Sequence, residues 1–262
     1  MWAWVMSLWG AVLGMALAPG EPAHITIVGA TSCLSYIKAV LPDFERDHPG
    51  VTVAVAGGGS VAGLMEAGRG RADLGLSDIP PEPQWTGGIS MTSYPLGRLP
   101  ILFVVNRADG VQHVTEAQLR GLLGGTIRRW NQLGGRSWPV IVVSRPLASG
   151  ARYVVEHRIL QGRPMSSHAL IELSNGALLR AVAETPGAIG YVEGPQVIPQ
   201  IIRLRVNGQT FSTQHPLRWP YFATPRLYAR TPVPNLVGSL AHYLTTRPQR
   251  VQFGIYPEES SS

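Results

Sequence analysis

The feature that most constrains this chain is a strand-turn-helix unit that recurs three times, each time with a turn of small or hydroxyl-bearing residues. Residues 24–28 (HITIV) run into Gly29-Ala30-Thr31-Ser32, and residues 51–55 (VTVAV) run into Gly57-Gly58-Gly59-Ser60. Residues 138–143 (WPVIVV) run through Ser144 and Arg145 into Ala148-Ser149-Gly150-Ala151. The stretches that follow, 33–48, 61–67 and 151–160, read as helices, although Pro42 predicts a break or kink in the first. A short apolar run at 72–76 (ADLGL) completes a β-turn-α-β-turn-α-β order. That order specifies an α/β class with a parallel sheet covered by helices. Further along, 100–105 reads as a central strand and 115–123 as a helix that Thr115 could cap. Strands at 187–192 and 201–206 and a last helix at 234–246 complete the reading.

The turns carry chemistry as well as topology. A helix N-terminus leaves backbone N–H groups without intrahelical partners and adds partial positive charge. Small residues let that backbone approach a ligand, and Ser or Thr hydroxyls add donors, so such turns make anion sites. In open α/β sheets they lie at the carboxyl ends of strands, where ligands bind. Singly, each turn is an ordinary helix cap. The signal comes from three of them together with two ionic residues in matching places. Arg145 ends the strand at 138–143, and its fork of donors suits two oxygens of a tetrahedral oxyanion. Asp78 follows the run at 72–76. A carboxylate beside an anion is repulsive unless the anion carries a proton to donate, so Asp78 favours monoprotonated phosphate over fully ionised sulfate.

Composition narrows the classes. The 262 residues suffice for one large domain or two lobes. The net charge of +6 is compatible with an anionic ligand, but no basic run or aromatic-interleaved basic helix suggests nucleic-acid binding. The seven His are scattered without a metal-ligand pair, and no Gly-x-Ser-x-Gly elbow is present, so neither a metal site, a cofactor nor an enzyme is expected. His157 near the Arg145 motif reads as a lone helix residue. Cys33, the single cysteine, excludes an internal disulfide and reads as a small buried apolar residue. The uncharged opening, 1–18, followed by Pro19-Gly20-Glu21-Pro22, reads as a secretory signal peptide over 1–23, with a retained N-terminal anchor as the alternative.

Five segments in this order, GATS at 29–32, PGVTVAVAGGGSVAG at 49–63, ADLGLSD at 72–78, RPLASGAR at 145–152 and GAIGYVE at 187–193, resemble the periplasmic phosphate-binding proteins of Pst-type ABC transporters. The resemblance covers about residues 24–195. It implies a type II periplasmic-binding-protein fold: two α/β lobes joined by a hinge, with the ligand in the cleft between them. Residues 24–103 with 197–262 would form lobe 1, and 104–196 lobe 2. It implies phosphate held by Thr31, Ser32 and Ser60 from one lobe, with Asp78 accepting the phosphate proton. Arg145, Ser149, Gly150 and Ala151 would close the site from the other lobe. The partner implied is an ABC transporter permease complex, the location extracytoplasmic, and the protein monomeric. Two positions depart from the family pattern: Ala151 stands where a Thr is usual, and Ser32 where an aromatic residue is frequent. Another oxyanion, such as sulfate or molybdate, or a sensing role without transport, remains the alternative on the same fold.

Overall fold

The computed structural model describes residues 23–194 and 198–258. The signal or anchor expected over 1–23 lies outside the described residues, apart from Ala23. Among the described residues, no helix is long and apolar enough to cross a membrane.

The chain first builds β1 (Ala23–Gly29), α1 (Leu34–Asp47), β2 (Val51–Gly57), α2 (Ser60–Gly68), β3 (Leu74–Ser77), a short α3 (Pro83–Thr86) and β4 (Met91–Pro95). It then runs through β5 (Leu99–Asn106), β6 (His113–Val114), α4 (Glu116–Leu123), β7 (Ile141–Ser144), α5 (Gly150–Arg158), β8 (Leu170–Ile171), α6 (Asn175–Glu184) and β9 (Ala188–Glu193). After β10 (Ile201–Arg203), β11 (Arg205–Val206) and β12 (Phe222–Ala223) come β13 (Arg226–Arg230) and α7 (Asn235–Thr246).

Two sheets result. The first has the order β2-β1-β3-β13-β4; the second has β10-β5-β9-β7-β8, with β12 also on β5. β1 pairs in parallel with β2 and β3, as a βαβ chain requires, whereas β13 is antiparallel to β3 and β4. In the second sheet β7 and β9 are parallel and β5 is antiparallel to β9. The sheets are therefore mixed, not purely parallel, because returning segments that alternation in the sequence did not mark fill their edges and centres. Every residue of β5 is buried, in keeping with a central strand.

The chain passes between the sheets at 96–98 and again at 224–225. The two passages are tied where the Leu96 N–H donates to the Pro225 carbonyl at 2.9 Å, and Arg98 exchanges backbone hydrogen bonds with Tyr256 beside them. β5 belongs to the second sheet from Leu99 onward, and β10 and β12 pair with it. We place the lobe boundaries at the two passages.

Local departures have local causes. α1 is one uninterrupted helix despite Pro42, whose side is exposed, so the carbonyl deprived of a helical partner can face water. Its apolar face (Tyr36, Ile37, Val40, Leu41, Phe44) is buried, and the Tyr36 hydroxyl donates to the Leu244 carbonyl at 2.5 Å, docking α1 on α7. Strand β7 begins only at Ile141, because Pro139 lacks an N–H and residue 139 instead bridges to Arg129. The segment 201–206 divides into two short strands that pair with β5 and with β6. Thr115 caps α4 through a reciprocal pair of hydrogen bonds with Gln118. Trp130 is fully buried, its indole Nε1 donating to the Gly187 carbonyl at 2.9 Å, which fastens the loop before β7 to the start of β9.

Candidate anion-binding cleft

Three helices begin at one place between the sheets. The turn after β1 brings Ala30 and Thr31 there, the first residue of α2 brings Ser60, and the first residue of α5 brings Gly150. Ser149 caps α5, its Oγ accepting from the Arg152 N–H at 3.4 Å. Gly59, which caps α2, has φ 87°, a left-handed conformation that glycine adopts without strain. Together these turns line a cavity of about 210 Å³ that also receives Asp78, Arg145 and Glu193.

The two sides are in contact around this cavity. The Val61 N–H, in the first turn of α2, lies 3.5 Å from the Ala148 carbonyl, on the loop before α5. A Cβ on Gly150 would stand 2.4 Å from the Asp78 Cβ and 2.5 Å from both the Asp78 Oδ2 and the Ser60 Oγ. Only a glycine lets the α5 N-terminus come this close, and the arrangement is that of a closed cleft.

Asp78 follows β3 and is 6% exposed. Ser60 Oγ donates to its Oδ2 at 3.2 Å and Ser32 Oγ to its Oδ1 at 3.5 Å, while the Asp78 N–H donates back to Ser60 Oγ at 3.1 Å. Burial raises the Asp78 carboxyl to about 6, against the lowering effect of both serines and of the Arg145 charge. Arg145 follows β7 and is 4% exposed. One terminal nitrogen donates to Asn175 Oδ1 at 2.7 Å and the other to the Leu173 carbonyl at 3.0 Å. This leaves the buried Nε–H without a partner among the described residues, and a second hydrogen on each terminal nitrogen. No ion pair within 4 Å involves Arg145 among the described residues. Its backbone is held at both ends: the Tyr191 hydroxyl accepts from its N–H at 3.3 Å, and Arg152 donates to its carbonyl at 3.0 Å. A buried, positioned cation with spare donors, beside three helix N-termini, is suited to an oxyanion.

Of the residues expected from sequence, Thr31, Ser60, Asp78, Arg145, Ser149 and Gly150 line this cavity together. Ser32 reaches it through Asp78 and lines an adjoining cavity of about 270 Å³. Ala151 is fully buried in the first turn of α5. His157 stands apart, exposed and stacked on Tyr153 with ring centroids 3.8 Å apart. Cys33 is buried and burial pushes its thiol well up, in line with the apolar reading.

Sequence reasoning missed the residues that hold Arg145 in place. Asn175 and Leu173 lie at the start of a helix that was not anticipated, and Tyr191, which also bonds the Ser144 hydroxyl at 2.8 Å, was read only as part of an apolar strand. Glu193 was missed as well. A signal for it existed: it is an acidic residue at the carboxyl end of an apolar strand, the same position that Asp78 and Arg145 occupy on theirs.

Comparison with known proteins gives concordant results. The family model described as PBP superfamily domain matches residues 16–210. The phosphate-binding protein PstS of Bacillus subtilis is 27% identical over 169 residues, 64% of this chain and 56% of that protein. PstS of Borreliella burgdorferi is 23% identical over 99 residues, 35% of this chain and 36% of that protein. The matches thus span about half, or less, of the curated relatives' lengths. Among solved structures, a Clostridium perfringens protein with bound phosphate superposes with TM-score 0.81 at 20% identity, covering 90% of this chain and 100% of that one. An ABC-type phosphate transport receptor from Vibrio cholerae gives TM-score 0.74 at 23% identity, covering 89% and 100%. At these identities the likenesses establish a two-lobed type II binding-protein fold.

Proposed function

The chain belongs to the PBP superfamily, and from that premise we propose that its cleft binds inorganic phosphate and delivers it to an ABC transporter outside the cytoplasmic membrane. The observation that carries the choice of ligand is Asp78. A carboxylate set inside a cavity built for anions rejects any tetrahedral oxyanion that has no proton to give it. Monohydrogen phosphate donates its proton to Asp78 and accepts from everything else: the Thr31 and Ser60 turns, the spare Arg145 hydrogens, and the Ser149, Gly150 and Ala151 end of α5. Sulfate at neutral pH would set lone pairs against lone pairs. The matching curated relatives are named as phosphate-binding proteins, which supports the same choice.

The Ala151 side chain supplies no hydroxyl, and its absence costs about 1 kcal/mol, the worth of a neutral hydrogen bond. Micromolar affinity needs about 8 kcal/mol, within reach of one guanidinium and several amide and hydroxyl donors once closure excludes water. Closure of two lobes about the passages at 96–98 and 224–225 is the motion this fold offers, and the α5 N-terminus against Asp78 is where it completes the site. The site's groups bind and orient an anion.

Titration calorimetry with phosphate, sulfate and molybdate side by side tests the proposal. Phosphate is expected to bind in the micromolar range or tighter and sulfate not measurably. Asp78→Asn, whose amide can donate to an unprotonated oxygen, is expected to narrow that gap by at least about tenfold, the worth of one hydrogen bond to a charged group. Equal binding of sulfate and phosphate by the unaltered protein would overturn the reading. Unchanged selectivity in Asp78→Asn would remove Asp78 from it.

A further inference from the structure

Glu193 has no part in the scheme above, yet it forms a wall of the same cavity. It lies at the end of β9, between the anion cavity and the adjoining one, and lines both. Its Oε1 is buried and has no hydrogen-bond partner among the described residues. Its carboxyl shares the anion cavity with that of Asp78, whose negative charge raises it. The groups facing it come from several elements: Asp78 beyond β3, Arg145 beyond β7, Cys33 before α1 and Asn175 at the start of α6. The Asn175 amide also donates to the Glu193 backbone carbonyl at 3.3 Å. Two carboxylates and one guanidinium at an anion site leave one negative charge too many. A buried carboxylate oxygen without a donor is the costliest way to carry it.

We propose that Glu193 determines which charge state of the cleft accepts an anion: its neutral carboxyl donates to Asp78 and admits the ligand, and its ionised form repels it. The inference rests on the phosphate-binding reading above. Burial, and then the negative charge of Asp78, raises the Glu193 carboxyl to about 8, with Arg145 opposing. Asp78, favoured as the anion by both serines, stands lower, at about 6. Because the Glu193 carboxyl is raised above that of Asp78, the pair with Glu193 protonated carries one negative charge; Arg145 cancels it, and the helix N-termini face the ligand uncontested. Cys33 stays a thiol throughout, since its own position lies well above the usual thiol range. The sign follows. A carboxyl raised on folding is stabilising while protonated and loses that contribution as pH rises through its folded value. Anion binding that requires the protonated form therefore weakens as pH rises past about 8.

The test is phosphate affinity across pH 6–9.5 for the unaltered protein and Glu193→Gln, which keeps the shape of the neutral acid and cannot ionise. Phosphate's own ionisation affects both equally. The unaltered protein is expected to lose about tenfold more affinity than the variant between pH 7 and pH 9, the effect of one proton released near 8. A second readout needs no variant: calorimetry at pH 8.5 in buffers of different ionisation heat should show proton uptake on phosphate binding. Parallel pH profiles, or no uptake, overturn the proposal and leave the phosphate reading standing. Failure of the unaltered protein to bind phosphate even at pH 6 overturns both.

Discussion

Replacing Arg145 with Ala is expected to lower phosphate affinity at least about 100-fold while the protein remains folded. The size follows from two effects that act together. The ligand loses charge-assisted hydrogen bonds worth about 1.5–3 kcal/mol each. It also loses the only positive side chain among the described residues lining the cavity, so that Asp78 faces it without an opposing charge. Removing one partner from a buried ionic group costs about 3–5 kcal/mol, and about 1.4 kcal/mol is a factor of ten. Arg145→Lys is expected to recover little. Lysine keeps the charge but not the fork that reaches Asn175 Oδ1 and the Leu173 carbonyl at once and aims the remaining hydrogens inward. Calorimetry measures the loss, and thermal unfolding without ligand shows that the fold survives. An affinity within about threefold of the unaltered protein would mean that Arg145 is a structural residue of the second lobe.

Gly150→Ala is the second large effect, and it separates closure from chemistry. Gly150 does not have positive φ, so alanine suits its backbone, and in a helix alanine is favoured over glycine by about 0.5–1 kcal/mol. Ligand-free stability should hold or rise. The new methyl, however, would stand 2.4 Å from the Asp78 Cβ and 2.5 Å from the Ser60 Oγ. The first is not the free end of a flexible side chain, so it cannot simply turn away, and the two sides must part. Phosphate should then lose the donors of α5, with at least about 100-fold weaker binding, although no group that touches the ligand has been removed. At 100 times its dissociation constant a ligand stabilises by about 2.7 kcal/mol, so phosphate should raise the melting temperature of the unaltered protein and leave that of the variant in place. A variant that phosphate stabilises as much as the unaltered protein would show that closure at Gly150 is not needed.

These two residues also show what was legible beforehand and what was not. Gly150 and Arg145 stood out because strand ends followed by small-residue turns are a local pattern, and a strand's carboxyl end is a predictable place in an α/β sheet. The same logic located Thr31, Ser60, Asp78 and Ser149, which the fold gathers from positions more than a hundred residues apart. The supporting groups were illegible for the opposite reason. Asn175 reaches Arg145 across 30 residues of chain, and nothing in its neighbourhood marks it as a partner. The antiparallel strand β13 enters the first sheet between β3 and β4 through pairings set far from the βαβ run. Non-local pairing of that kind leaves no period in the local sequence. Which sheet β5 joins was not legible, because a strand buried along its full length has the same apolar sequence in either sheet. Pro42 misled in a simpler way: a helix tolerates proline where the orphaned carbonyl can meet solvent.

The central claim is that one tetrahedral, protonated oxyanion sits where three helix N-termini, Asp78 and Arg145 meet. Arsenate has the shape and protonation of phosphate, and its arsenic can be located by anomalous scattering in a crystal. A single anomalous peak is expected in the 210 Å³ cavity, within hydrogen-bonding reach of Ser60, Asp78, Arg145 and Ser149. An empty cavity in arsenate-soaked crystals, or a peak seated on another face of the molecule, would contradict it.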